Sequence, residues 1–270
     1  MDSVLSHEPL IRIGCFAGLL ILLALLESGF PRRRQRVGRR QRWPGNLGIV
    51  AIDSIVARLL VPITTVSLGA IVETKGWGLL GVLGIAGWPA VVLAFLALDL
   101  GIYVQHIVFH TVPLLWRLHR MHHADLELDV TTGLRFHPIE IVLSLLIKCV
   151  VIIAVGAPAF AVLVFEIALN ATSMFNHANL ALPPNLDRLL RHIVVTPDMH
   201  RVHHSIRREE TNSNFGFNLP WWDRLFCTGR PQPVDGHLDM EIGIPQFRDP
   251  GELRLDRMLI QPFHSDPPSA

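Results

Sequence analysis

Three groups of histidine carry the chemistry of this sequence: His106-x-x-x-His110, His119-x-x-His122-His123 and His200-x-x-His203-His204. On a helix, positions i, i+3 and i+4 share a face, so each group aims two or three imidazoles the same way. Neutral imidazole is a ligand for iron, zinc, copper and nickel. Eight such ligands exceed the four that one tetrahedral zinc takes, and they suit two metal ions. Of the 14 histidines, 11 lie between His106 and His204, and two of these join the candidate set. His137 precedes a long apolar stretch in Arg135-Phe136-His137-Pro138-Ile139-Glu140, and His177 follows it in Asn176-His177-Ala178-Asn179. His7, His237 and His264 read as surface or ordinary core residues, and His192, near Arg188 and Arg191, as an interfacial cation. A metal-bound histidine usually donates its other N–H to a carboxylate or carbonyl. Asp99, Glu140, Asp198 and Asp223 are the candidate carboxylate acceptors.

The elements that must position these side chains are apolar. Half of the 270 residues are hydrophobic and only 17% are charged, against about 25% in an average soluble domain. With a mean hydropathy of +0.38, this composition excludes a standard solvated enzyme, a disordered chain and a nucleic-acid binder. A net charge of +1 gives no pull toward an acidic partner, and three cysteines make no disulfide framework. Apolar runs at 10–28, 47–72, 89–107, 139–155 and 158–175 predict an all-α polytopic membrane bundle of four to five spans. The stretch 139–175 is too long for one crossing. As a single helix it would reach roughly 54 Å against a hydrocarbon core of about 30 Å, and Gly156-Ala157-Pro158 divides it into a hairpin. Residues 77–87 read as a short interfacial or re-entrant piece.

The nine residues before the first run hold two acids and no lysine or arginine, unlike a signal peptide. Seven arginines follow it: Arg32, Arg33, Arg34, Arg36, Arg39, Arg40 and Arg42. They read as a cytoplasmic anchor, which by the positive-inside bias puts 32–45, 108–138 and 176–270, and with them the histidines, in a helical cap on the cytoplasmic side. In a bacterium that membrane would be the plasma (inner) membrane. No internal repeat is visible, and the tail from about Gln232 reads as a loop packed on the cytoplasmic surface.

The ordered set of histidine groups and their flanks resembles the fatty acid hydroxylase / sterol desaturase superfamily. The segments that carry the resemblance include Asp99-x-x-x-Tyr103-x-x-His106, Leu115-Trp116-Arg117-x-His119, Thr196-Pro197-x-Met199-His200, Asn214-Phe215-Gly216 and Trp222-Asp223-Arg224-Leu225-Phe226. The resemblance implies three regions: N-terminal spans over 1–98, a catalytic region over 99–228 and a cytoplasmic tail over 229–270. It implies a non-haem di-iron oxygenase that uses O2 and two electrons to hydroxylate a C–H bond of a lipid such as a fatty acyl chain or a sterol. His106, His110, His119, His122, His123, His200, His203 and His204 would be ligands, with His177 as a ninth and His137 matching a further family histidine. Electrons would come from a separate NAD(P)H-linked donor, a reductase, ferredoxin or cytochrome, since no fused cytochrome domain is visible. Ile107 stands where many relatives carry arginine after the first histidine, which leaves the ligands intact but bears on substrate.

Other readings divide by chemistry. A desaturase or carotenoid hydroxylase of the same superfamily shares the pattern. A membrane metal transporter would place ligands near the bilayer midplane on broken helices, whereas these lie at or beyond the ends of the spans. A zinc hydrolase would carry an HExxH base beside its ligands, and none exists. Cys227 has no neighbouring base to make it a nucleophile.

Overall fold

Apolar length decides the architecture. The computed structural model describes residues 2–61 and 63–265. Among them, five helical stretches are long and apolar enough to cross a membrane: Glu8–Gly29, Arg39–Val82, Gly87–Thr111, Pro138–Val155 and Ala159–His177. There is no strand among the described residues beyond two isolated bridges, Pro31 with Leu180 and Ser205 with Ile242. The elements that matter below are α1 (Glu8–Gly29), α2 (Arg39–Leu60), α3 (Thr65–Lys75), α4 (Gly87–Thr111), α5 (Pro113–His123), α6 (Pro138–Val155), α7 (Ala159–His177) and α8 (Pro197–His203).

The second stretch departs from the single span expected over 47–72. It starts earlier, at Arg39, and breaks after Leu60; α3 restarts at Thr65, where the Thr64 hydroxyl accepts from the Ser67 N–H at 3.0 Å. The piece at 77–87 contains a short helix, Gly78–Val82. Helix α4 runs to Thr111 rather than ending near 107, so its last turns carry His106 and His110.

The hairpin turns at Gly156, whose φ of +82° caps α6 in the left-handed region. Gly78, with a φ of +78°, lies directly against it, and a side chain on either glycine would meet the backbone of the other. This contact closes the end of the bundle opposite the histidines.

Three charges inside the spans satisfy one another. Glu166 of α7 meets Lys148 of α6 at 2.9 Å and Arg12 of α1 at 3.0 Å. A lone charge at that depth would be costly, so the triad sets the register of three spans. Asp53 and Arg58 do not pair: Asp53 is buried and Arg58 exposed.

The arginine block also departs from a uniform surface anchor. Arg42 is fully buried. Its guanidinium forks onto Asp125 at 2.7 and 2.8 Å, meets Asp129 at 2.6 Å and donates to the Glu127 carbonyl at 2.8 Å. Arg135, also fully buried, donates to the Met121 carbonyl at 2.8 Å and to Asn46 of α2 at 3.1 Å. Together they fasten α2 to the loop between α5 and α6. Burial alone pushes the Asp125 carboxyl up, but Arg42, with Arg135 and Thr132, holds it down at about 2.

Removing one partner of a buried ion pair strands the other. Arg42→Ala is therefore expected to cost about 3–5 kcal/mol of stability, read as thermal unfolding in detergent. Arg42→Lys, with no planar fork, recovers only part of it. Because Asp125 lies at about 2 against an ordinary 3.8, its share of stability is present above pH 3.8 and is lost as pH falls through about 2. A wild-type unfolding profile with no acid loss attributable to Asp125, judged against Asp125→Asn, would contradict this.

Candidate metal centre

Helix ends deliver the histidines. His106 and His110 close α4; His119, His122 and His123 close α5; His177 is the last residue of α7; His200 and His203 lie on α8, with His204 as its C-cap. Proline opens both short helices, Pro113 in α5 and Pro197 in α8, where its fixed φ suits the first turn and its missing N–H costs nothing.

The nine imidazoles fall into two groups. His106, His110, His119, His123 and His203 form one; His122, His177, His200 and His204 form the other; within each, one nitrogen per residue lies within 4.8 Å of all the rest. Eight are buried, and His110 is partly so. The groups touch: the ring centroids of His123 and His204 are 4.4 Å apart, and those of His203 and His200 are 4.9 Å apart.

Hydrogen bonds at Nδ1 settle what six of the rings present. His106 bonds the Phe215 carbonyl at 2.9 Å, His122 that of Arg135 at 3.1 Å, His177 that of Ser173 at 2.7 Å and His203 that of Ser213 at 2.8 Å. His119 bonds Glu140 at 2.6 Å and His110 the Asn212 side-chain oxygen at 3.2 Å. These acceptors place the proton on Nδ1, leaving a bare lone pair on Nε2. In the second group, the His177 Nε2 lies 3.1–3.2 Å from the Nε2 atoms of His122, His200 and His204. Since His177 and His122 are both protonated at Nδ1, their contact is lone pair against lone pair and is not a hydrogen bond. In the first group, Nε2 of His106, His110, His119 and His203 is buried with no protein partner. Buried acceptors without donors are costly, and a cation removes that cost. Two nitrogens each about 2.1 Å from one ion at a right angle lie about 3.0 Å apart, close to the observed spacing. The donor set therefore fits two metal ions.

Burial keeps five of the rings neutral. Burial pushes His122, His123, His200 and His204 well below the usual histidine range, and it holds His203 at about 3. Neutral imidazole is the ligating form.

Other candidates take different places. His137 is set apart from both groups. It caps α6, accepting from the Ile139 N–H at Nδ1 (3.2 Å) and bonding the Leu259 carbonyl at Nε2 (3.2 Å), so both nitrogens are spent on structure. Glu140 alone of the four carboxylates reaches a histidine of the groups. Asp198 instead meets Arg32 at 3.0 Å and also pairs with Arg201. Asp223 accepts from the Phe215 and Gly216 N–H groups at 2.8 Å, and Asp99 holds Asn218 and Trp222 at 2.8 Å each. These two steady the strap 212–219, whose oxygens orient His106, His110 and His203. The strap's role was hidden because backbone carbonyls have no signature in sequence. His237 is buried, 3.7 Å from Asp198, and takes the core place of its two readings.

Four outcomes follow from this geometry. His203→Ala lowers bound metal, by elemental analysis of detergent-purified protein, while helical circular dichroism is kept; His137→Ala leaves metal content unchanged and costs about 1 kcal/mol as a lost cap. Glu140→Gln weakens metal retention roughly 10- to 100-fold in a chelator competition. In chelated protein, the unfolded chain takes protons near 6.5 while folded His203 resists to about 3, so stability is full above pH 6.5 and declines as pH falls toward 3. A flat stability profile over that window would contradict the buried, neutral assignment.

Comparison with known proteins gives the lineage. Residues 91–228, half of the chain, match the family described as fatty acid hydroxylase. The ornithine lipid hydroxylase OlsE of Rhizobium tropici is 31% identical over 159 residues, covering 57% of this chain and 47% of that protein. The alkylglycerol monooxygenase of Xenopus tropicalis is 33% identical over 140 residues, covering 52% of this chain and 30% of that protein, and the Homo sapiens enzyme of the same name is 28% identical over 140 residues. The chain thus spans about half the length, or less, of the curated relatives it matches. No solved structure matches. A multi-pass membrane protein with this histidine pattern, it belongs to the fatty acid hydroxylase family.

Proposed function

We propose that this protein is a membrane-bound di-iron oxygenase that hydroxylates a C–H bond of a lipid. The observation that carries the reading is the pair of touching, all-histidine groups of five and four at one end of the membrane spans. A shell of neutral imidazoles leaves the bound ions their full positive charge, and imidazole suits iron. The nine clustered histidines are proposed as ligands. The names of the relatives, a lipid hydroxylase and a monooxygenase, favour hydroxylation over desaturation.

Two irons held there would supply the activation of O2 with two electrons, one oxygen atom entering the C–H bond and the other leaving as water. The chain's own part is to bind, orient and exclude. Glu140, Asn212 and four backbone carbonyls fix the rings, as described above. Aromatic rings close the surroundings to water: Phe136 stacks on His122 at 4.5 Å, and Phe217 lies 6.1 Å from both His106 and His200. The catalytic region is placed over 99–228, between the N-terminal spans of 1–98 and the tail of 229–270. The arginine-rich connection argues for a cytoplasmic centre, and with it for a separate NAD(P)H-linked donor as the source of electrons.

The test is metal and product together. Purified protein from iron-57-grown cells is expected to hold about two irons per chain, with coupled Mössbauer spectra. With reductant and 18O2, a lipid extract should gain one labelled oxygen per product. One zinc, or no tightly held metal, would overturn the reading.

A further inference from the structure

The connection between α1 and α2 builds a basin that the metal centre does not use. Asn179 grips it from both sides, accepting from the Arg33 N–H at 3.1 Å and donating to the Arg33 carbonyl at 2.8 Å. Arg32 bonds Asp198 at 3.0 Å, and Arg33 donates to the Met240 carbonyl at 2.7 Å. The result is a surface basin of about 510 Å³ whose lining includes Arg32, Arg33, Arg34 and Arg39 against one acid, Glu27.

Glu27 is turned inward and used up. Its Oε1 accepts from the Val130 and Asn179 N–H groups at 2.7 and 2.8 Å, and its Oε2 takes Arg39 at 2.9 Å. Arg34 is exposed and makes no hydrogen bond or ion pair among the described residues. The Arg33 Nε, buried without a hydrogen-bond partner, has the Glu127 carboxylate 3.9 Å away. Arg32, Arg33 and Arg39 thus each have a carboxylate partner, and the Arg34 guanidinium lines the concavity with none among the described residues. Guanidinium forks match the oxygens of phosphate and carboxylate.

The basin's place says where the anion comes from. Glu27 and Ser28 lie in the last turn of α1, so the basin opens where that span leaves the membrane. Below it, Ile21 and Leu25 share the helix face of Ser28 and are 59% and 66% exposed, and Phe30 beside it is 63% exposed. An apolar stripe leading up to a cationic basin is complementary to an amphiphile standing in the bilayer. A soluble anion would gain nothing from the stripe.

We infer that this basin binds the anionic headgroup of a bilayer lipid whose chains lie along Ile21 and Leu25. Binding is separate from turnover, so the inference stands or falls independently of the oxygenase reading.

The full chain, purified in neutral detergent, is offered mixed micelles of phosphatidylglycerol and phosphatidylcholine, and retained lipid is counted by native mass spectrometry. Wild type is expected to retain phosphatidylglycerol in preference, and inorganic phosphate in excess should not displace it. Arg34→Gln, which breaks no contact in the fold, should weaken retention about fivefold, the effect of one cation near a membrane surface. Arg254→Gln, at an exposed site paired with Asp256, serves as the charge-matched control and should leave retention unchanged. Equal retention of both lipids, equal loss in the control, or ready displacement by inorganic phosphate would each overturn the inference.

Discussion

Six imidazoles must turn a bare lone pair into one buried cluster of nine rings, and most of the structure around them serves that constraint. Left alone, such rings would turn to share protons or open to water. They are prevented because six of the nine have their Nδ1 committed to an oxygen that lies away from the cluster. Each oxygen must in turn be immovable. The Arg135 carbonyl is steadied by a buried guanidinium bonded to α2 and α5, and the strap 212–219 by Asp99 and Asp223. Distant acids and arginines therefore act on the centre by holding the pieces of main chain that hold the rings.

The same logic explains why the bundle tolerates polar residues at membrane depth. Glu166, Lys148 and Arg12 satisfy one another across three helices. Asp99 sits within α4, yet its oxygens are filled by Asn218 and Leu219 of the strap and by Trp222 just beyond it. The strap thus packs along the side of a spanning helix rather than floating above the bilayer. Cap and membrane part form one unit, tied by polar contacts that water does not reach.

How far the sequence alone speaks depends on the range of the interaction. The histidine groups were legible because their spacing is helical and their chemistry is specific to type. The hairpin was legible because its length exceeds a bilayer and a Gly-Ala-Pro turn divides it. The break after Leu60 was not, since an apolar run of that kind reads as one helix until tertiary contacts show where it bends. Arg42 was read with its neighbours as a surface cation, because the partners that bury it, Asp125 and Asp129, lie more than eighty residues away. His137 carried the right residue type in a suggestive place, but a local bond to Ile139 and a distant one to Leu259 claimed both of its nitrogens.

The choice of main-chain oxygens as ring partners has a consequence for how this centre responds to genetic change. A carbonyl belongs to every residue, so no point substitution at Ser173, Ser213, Phe215 or Arg135 deletes the acceptor itself. Codon-level damage can reach ring orientation directly at two places only, Glu140 behind His119 and Asn212 behind His110. Most of the scaffold around the histidines is thereby written in a part of the polymer that heredity does not vary, and drift in the surrounding side chains is buffered from the site they enclose.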